Sequence, residues 1–172
     1  MQNEKRVFLL TGSNIEPRSN YLAQAEKKIE EKIGKIVDCS SIYESEPWGF
    51  EAEIAFLNQV LVVETNLSSF EILGRIHSIE KRLGRTRNGK VYLSRTIDID
   101  ILYIENEIIE TKELTVPHPK LHERKFTLLP LAEVAGKFKH PILKKTNDEL
   151  LSKVNDQNRV WKVEAGKSRK NV

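Results

Sequence analysis

Leu93-Ser94-Arg95-Thr96-Ile97-Asp98-Ile99-Asp100-Ile101-Leu102-Tyr103 decides how this chain folds. Ile97, Ile99, Ile101 and Tyr103 alternate with Thr96, Asp98 and Asp100. A period of two in a run rich in β-branched residues specifies a strand. Alternate side chains on a strand share a face, so Asp98 and Asp100 point the same way. Two neighbouring carboxylates repel, and a shared cation relieves that repulsion most directly. A solvated face bearing two acids is the plain alternative, and the strand alone does not decide between them.

The residues just upstream bear on that choice. Arg85, Arg87, Lys90 and Arg95 are spread over a short loop containing Asn88-Gly89. A carboxylate pair beside arginines suits a metal-bound polyphosphate. Mg²⁺ takes oxygen ligands, keeps several waters, and binds through one or two carboxylates plus substrate phosphates. Guanidinium forks take the remaining phosphate oxygens and stabilise developing charge.

Working outward, Val7-Phe8-Leu9-Leu10-Thr11 reads as a short apolar strand that stops at the turn Gly12-Ser13-Asn14. Pro17 opens a helix whose apolar face is Leu22, Ala25, Ile29 and Ile33, and Gly34 ends it. Lys35 to Glu46 reads as a second strand, broken by Pro47-Trp48-Gly49-Phe50. That loop is a core cap or a stacking platform for a flat ligand. The strand from Ile54 to Thr65 would align Phe56, Asn58, Val60 and Val62 on one face. Asn58-Gln59 is unusual in so apolar a run. A buried amide must be hydrogen-bonded, to backbone or to the polar edge of a ligand.

Ser68-Ser69-Phe70-Glu71 is a capping box, so a helix begins there. Its buried stripe is Ile72, Ile76, Ile79 and Leu83, with His77 and Glu80 together on the edge and Gly84 as its end. Beyond Tyr103 come a turn at Glu105-Asn106-Glu107, a short return strand at Ile108-Ile109, and a proline-fixed extended segment from Leu114 to Pro119. Thr127 to Val134 and Asn147 to Val154 read as helices, and Val160 to Val163 as a last strand.

The order β-α-β-β-α-β through residue 103 is the ferredoxin-like arrangement. The expected fold class is α+β: a mainly antiparallel sheet whose later elements cover its second face, giving a three-layer α/β/α sandwich. Residues 1–164 are expected to form one domain and 165–172 a flexible tail.

Composition sets outer limits. A hydrophobic fraction of 39% with 31% charged residues fits a globular chain, and a net charge of +3 makes no general polyanion binder. The one cysteine, Cys39, excludes an internal disulfide and a cysteine-rich metal site. The histidines at 77, 118, 122 and 140 form no HExxH pattern, and prolines at 117 and 119 argue against a zinc-binding helix at His118 and His122. With no signal peptide or membrane span in view, the expected location is the cytoplasm and the expected state a monomer. An RNA-binding module of the same topology needs exposed aromatics on central strands. Here the strand expected to be central carries two acids, so no nucleic-acid or membrane partner is expected.

Gly12-Ser13-Asn14, Pro47-x-Gly49, Phe56-Leu57-Asn58, Gly84-Arg85-x-Arg87, Arg95-Thr96-Ile97-Asp98-Ile99-Asp100 and Val116-Pro117-His118 occur together and in order. In these motifs the chain, over roughly residues 6 to 162, resembles the 6-hydroxymethyl-7,8-dihydropterin pyrophosphokinases of folate biosynthesis. The resemblance implies transfer of the terminal diphosphate of ATP to the pterin hydroxymethyl group, leaving AMP. It implies two Mg²⁺ ions carried by Asp98 and Asp100. By the same match His77, Glu80, Arg85, Arg87, Arg95, Ile101, Thr115, His118 and Arg124 fall at ATP-binding or supporting positions. Arg85 and Arg95 join the two aspartates in catalysis. Ser45, Glu46, Trp48, Phe56, Asn58, Tyr92 and Phe126 would build the pterin slot, with the loop from Arg85 to Arg95 as a lid. The chain departs from the family at Glu46-Pro47, where Pro-Pro is common, and at Tyr92, where Trp is common. His77 replaces a common Gln, and Pro119 replaces a Tyr, removing one possible ring contact to the nucleotide.

Overall fold

The computed structural model describes residues 3–46, 54–84 and 96–164. Its elements are β1 (Lys5–Ser13), α1 (Arg18–Lys32), β2 (Lys35–Cys39), β3 (Ile42–Ser45), β4 (Phe56–Thr65), α2 (Ser69–Arg82) and β5 (Asp98–Ile104). There follow β6 (Ile109–Glu110), β7 (Thr115–Val116), a 3₁₀ turn (Leu121–Glu123), α3 (Lys125–Ala135), α4 (Asn147–Lys153) and β8 (Val160–Glu164). Residues 1–2, 47–53, 85–95 and 165–172 lie outside the described residues.

The main sheet runs β5-β1-β4-β3-β8, with β2 also paired to β4, and every pairing in it is antiparallel. If β2 and β3 are counted as one interrupted strand, the first four strands lie in the order four-one-three-two, the ferredoxin-like sheet expected from the element order. The helix α1 buries Leu22, Ala25 and Ile29 on one face of the sheet. Beside it α2 buries Ile72, Ile76 and Ile79. The other face carries Phe8, Leu10, Val60 and Val62 against Leu128 and Leu131 of α3 and Leu150 of α4. The result is three layers around two apolar cores.

Local signals act as their chemistry requires. Ser68 caps α2: its hydroxyl accepts from the Glu71 N–H, and the Glu71 carboxylate accepts from the Ser68 N–H at 2.7 Å. Gly84 stands at φ 89°, a conformation that glycine adopts without strain, just after that helix. Gly34 follows α1 for a different reason: a Cβ there would strike the Glu64 carbonyl oxygen on β4.

Besides the turn expected at Gly12-Ser13-Asn14, whose first two residues are the end of β1 and pair with Asn58 and Leu57, three features differ from the reading of the sequence. The strand expected from Lys35 to Glu46 is broken at Ser40 and Ser41. The Ser40 hydroxyl accepts from the Val60 N–H at 2.9 Å, and the Ser40 carbonyl accepts from the Gln59 side-chain amide at 3.1 Å. Small hydroxyls substitute for ladder bonds there, and strand periodicity does not reveal it. Second, among the described residues β5 has one sheet neighbour, β1, and stands at the edge of the described sheet, not at its centre. Third, its register against β1 shifts between Phe8 and Leu9: Phe8 faces Tyr103, but Leu9 faces Ile101. Leu102 is the extra residue of a β-bulge. Ile97, Ile99 and Ile101 join the core under α1 and α2, while Tyr103 turns to the opposite core. There its hydroxyl donates to Asn147 at 2.8 Å.

Candidate active site

Asp98 and Asp100 are both half-buried, while Ile97, Ile99 and Ile101 around them are buried on the α1/α2 side. Alternation therefore aims the two carboxylates at the α3 face. Reading across the sheet from Asp98, the register gives Gly12 on β1, Asn58 on β4, Tyr43 on β3 and Lys162 on β8. Two strand spacings, roughly 10 Å, separate the backbones of Asp98 and Asn58. Gly12 stands between them with no side chain. A Cβ there would lie 3.5 Å from Asn58 Oδ1 and 3.8 Å from Phe56 Cδ1. The gap over Gly12 is thus walled by an amide oxygen and an aromatic edge, with a carboxylate beyond.

The Asn58 amide is fixed by its nitrogen. Nδ2 donates to Ser45 Oγ at 2.8 Å and to the carbonyls of Tyr43 and Phe56 at 3.3 and 3.4 Å. Its donors are therefore spent on backbone and Ser45, and the oxygen is the atom turned toward Gly12. Phe56 and Ser45 face each other across β4 and β3, which brings three of the expected pterin-slot residues together.

On the other side of the acids, Glu80 is only 2% exposed. Its carboxylate accepts from the Ile99 N–H at 3.0 Å, so the amide between the two aspartates is held by α2. His77, one turn away, is exposed; the sheet edge draws in Glu80 and leaves His77 outside. Ile101 packs its side chain into the α1/α2 core, so only its backbone is available to a nucleotide. Thr115 is exposed on β7.

His118 hangs beside the bulge, its N–H donating to the Leu102 carbonyl at 3.0 Å. Its Nδ1 accepts from the Lys120 N–H at 3.1 Å, which leaves the proton of the neutral ring on Nε2. Burial, aided by the charge of Arg124, pushes its pKa down to about 4, although the Asp98 carboxylate pulls it up. Arg124 precedes α3, with its guanidinium carbon 5.5 Å from the centre of the Phe126 ring. The N-terminus of α3 is secured by Asp156, which accepts from the Lys125 N–H at 2.9 Å. Glu46 spends its carboxylate on Arg159, accepting from Nε at 2.9 Å and from the backbone N–H at 3.1 Å.

Arg85, Arg87, Tyr92, Arg95 and Trp48 lie outside the described residues. Sequence reasoning took Gly12 for part of a turn and a motif, not for a gap in a row of strand residues, because a residue without a side chain shows its use only once the register is known; it gave no role to Tyr43 and Glu133, discussed below. Among the described residues, no group of three or more His, Cys, Asp or Glu side chains is placed to hold a metal. Two carboxylates are an oxygen-only, incomplete donor set. That fits Mg²⁺, which completes its shell from water and phosphate, and does not suit a closed zinc site.

The model of the family described as 7,8-dihydro-6-hydroxymethylpterin-pyrophosphokinase matches residues 8–136. The chain is 40% identical over 163 residues to the 2-amino-4-hydroxy-6-hydroxymethyldihydropteridine pyrophosphokinase of Bacillus subtilis, covering 93% of this chain and 92% of that one. It is 44% identical over 139 residues to the protein of the same name from Aquifex aeolicus, covering 81% and 86%. Among solved structures, Plasmodium falciparum HPPK-DHPS with pteroate superposes with a TM-score of 0.70 at 18% identity, over 89% of this chain and 43% of that chain. Another HPPK-DHPS structure, in complex with substrates, gives 0.71 at 17% identity over 87% and 43%. These two carry the fold alone, and this chain spans less than half of each. By the family match and the two bacterial relatives, the chain belongs to the 7,8-dihydro-6-hydroxymethylpterin-pyrophosphokinase family.

Proposed function

We propose that this chain transfers the terminal diphosphate of ATP to the hydroxymethyl group of 6-hydroxymethyl-7,8-dihydropterin in folate biosynthesis. The hydroxymethyl oxygen bonds to the β-phosphorus, the bond from that phosphorus to the α–β bridging oxygen breaks, and AMP leaves. The hydroxyl proton is released. The observation that supports this most is the row Asp98, Gly12, Asn58, which sets a carboxylate and an amide on either side of a bare gap.

Each residue has a part in this reading. The Asn58 oxygen accepts from the N–H edge of the pterin, held there by Ser45. Phe56 and Phe126 offer apolar ring faces to the flat heterocycle, with Trp48 and Tyr92 expected to complete the slot. His118, neutral near pH 7, donates from Nε2 to a phosphate or ribose oxygen without adding a charge next to Asp98. Arg124, with Arg85, Arg87 and Arg95, neutralises the triphosphate. His77, Ile101 and Thr115 border the nucleotide, and Glu80 supports the acids from behind. Asp98 and Asp100 would hold Mg²⁺, two ions by the family pattern, which supplies charge neutralisation on the phosphates and acidifies the attacking hydroxyl when bound. Phosphoryl-type transfer requires positioning and charge neutralisation more than a strong base. We place the protein in the cytoplasm as a monomer, acting on these two small molecules, with no nucleic-acid or membrane partner. Among the described residues, no helix is long and apolar enough to cross a membrane.

AMP release from ATP, pterin and Mg²⁺ is the direct test. Asp98→Ala and Asp100→Ala should each lower it by about 10³-fold or more while the circular dichroism spectrum stays unchanged. Turnover near that of the parent in either variant would refute the role of the acids. ATP binding without any AMP release would replace the enzyme with a non-catalytic nucleotide binder.

A further inference from the structure

The break between β2 and β3 is bridged to β4 through Ser40 and is also held by one side chain from another layer. Glu133 on α3 accepts through Oε1 from the Ser41 N–H at 3.0 Å and the Ser41 hydroxyl at 2.7 Å. Through Oε2 it accepts from the Tyr43 hydroxyl at 2.7 Å. Burial alone would raise its pKa, but these bonds from Ser41 and Tyr43 hold it below the ordinary carboxylate value. The carboxylate is thus ionised near pH 7 and makes charge-assisted bonds at both oxygens.

What Glu133 grips is the strand that orients Asn58. Tyr43 lies directly opposite Asn58, and its carbonyl accepts from Asn58 Nδ2 at 3.3 Å. Two residues on, Ser45 supplies the shorter bond to the same nitrogen at 2.8 Å. With β2 and β3 interrupted, the four residues of β3 are located by their pairing with β4 and β8 and by this clamp. A slip of β3 along or away from β4 would release the amide and turn its oxygen from the gap over Gly12.

We propose that Glu133, through Ser41 and Tyr43, is a positioning residue that sets the Asn58 amide for the pterin. It touches no substrate and acts on one substrate only. This rests on the reading of Asn58 as the pterin-facing amide, so that reading is tested alongside.

The experiment measures kcat, the KM of each substrate and the thermal midpoint for Glu133→Ala, Glu133→Gln, Tyr43→Phe and Asn58→Ala. Glu133→Ala should raise the pterin KM roughly tenfold, as expected for a small misplacement of a binding group, with kcat and the ATP KM within about twofold of the parent. Tyr43→Phe, which removes one hydroxyl from a folded strand, should move the pterin KM in the same direction by about threefold and serves if Glu133→Ala does not fold. Glu133→Gln keeps an oxygen for Ser41 and should restore most of the loss. If Asn58→Ala raises the pterin KM while Glu133→Ala and Tyr43→Phe leave it unchanged, the positioning role is wrong and the pterin reading stands. Equal losses in both KM values and kcat, without rescue by Gln, would reduce Glu133 to a general structural part. An Asn58→Ala enzyme with an unchanged pterin KM would overturn the pterin reading and the positioning role together.

Discussion

At the scale of single residues, the most informative position is one with no side chain. Gly12 needs no unusual backbone, and an alanine Cβ would meet its neighbours at ordinary contact distances of 3.5 to 3.8 Å. Gly12→Ala should therefore cost about 1 kcal/mol or less in stability. It would also fill the gap between Asp98 and Asn58, so the pterin KM should rise about tenfold. Melting curves beside steady-state kinetics check both halves, and an unchanged KM would show that the substrate does not use this gap. The acid pair was legible in the sequence because alternation alone puts Asp98 and Asp100 on one face. Gly12 was not, since its use depends on strands at residues 58 and 98 arriving on either side. His77 and Glu80 illustrate a second limit. A helical wheel places them together, but only the sheet edge, with an Ile99 N–H needing an acceptor, decides that Glu80 goes in.

At the scale of elements, the helix boundaries were legible because their signals are local. The capping box of α2 needs only Ser68 and Glu71. Ser68→Ala should lose about 1 kcal/mol, read as a lower urea midpoint with unchanged slope. Gly34 looks like an ordinary helix stop in the sequence, but its constraint is tertiary: α1 ends against the backbone of β4. Gly34→Ala must displace that backbone and should cost roughly 1 to 3 kcal/mol, more than the loss of the cap. If the alanine variant unfolds at the parent's urea concentration, the close approach to Glu64 is not as described. The interruption at Ser40 and Ser41 was not legible. Serines fit a strand period well enough, and the partners that make the break stable, Gln59 and Glu133, lie about 20 and 90 residues away.

At the scale of the whole molecule, layer order followed from the sequence of elements, because βαβ crossovers and hairpins leave few ways to stack two helices on one sheet. The covering of the second face by α3 and α4 was a weaker inference, and the place of β8 beside β3 was not read at all. That second layer sets the acid response of the fold. His140 is buried beside Tyr103, and its Nδ1 accepts from the N–H groups of Ile142 and Leu143. Burial, with the nearby His122, pushes its pKa down to about 4, as burial does for His118. Both rings are neutral when folded, whereas an unfolded histidine titrates near 6.5. Their stabilisation is therefore complete above about pH 6.5 and is lost as the pH falls toward 4. Urea midpoints should decline across that window, above the range in which most carboxylates protonate. His140→Gln should flatten the decline, and a midpoint constant from pH 6.5 to 4.5 would contradict the neutral, buried histidines.

The bulge at Leu102 carries a last consequence. Without it, strict alternation would put Tyr103 on the opposite side from Asp98 and Asp100. One inserted residue works as a half-turn coupling in a shaft: upstream it delivers carboxylates, downstream it delivers a phenol, and both emerge under the same roof of helices. The carboxylate end and the phenol end of a single seven-residue strand therefore face one layer, and the bulge between them sets their relative phase.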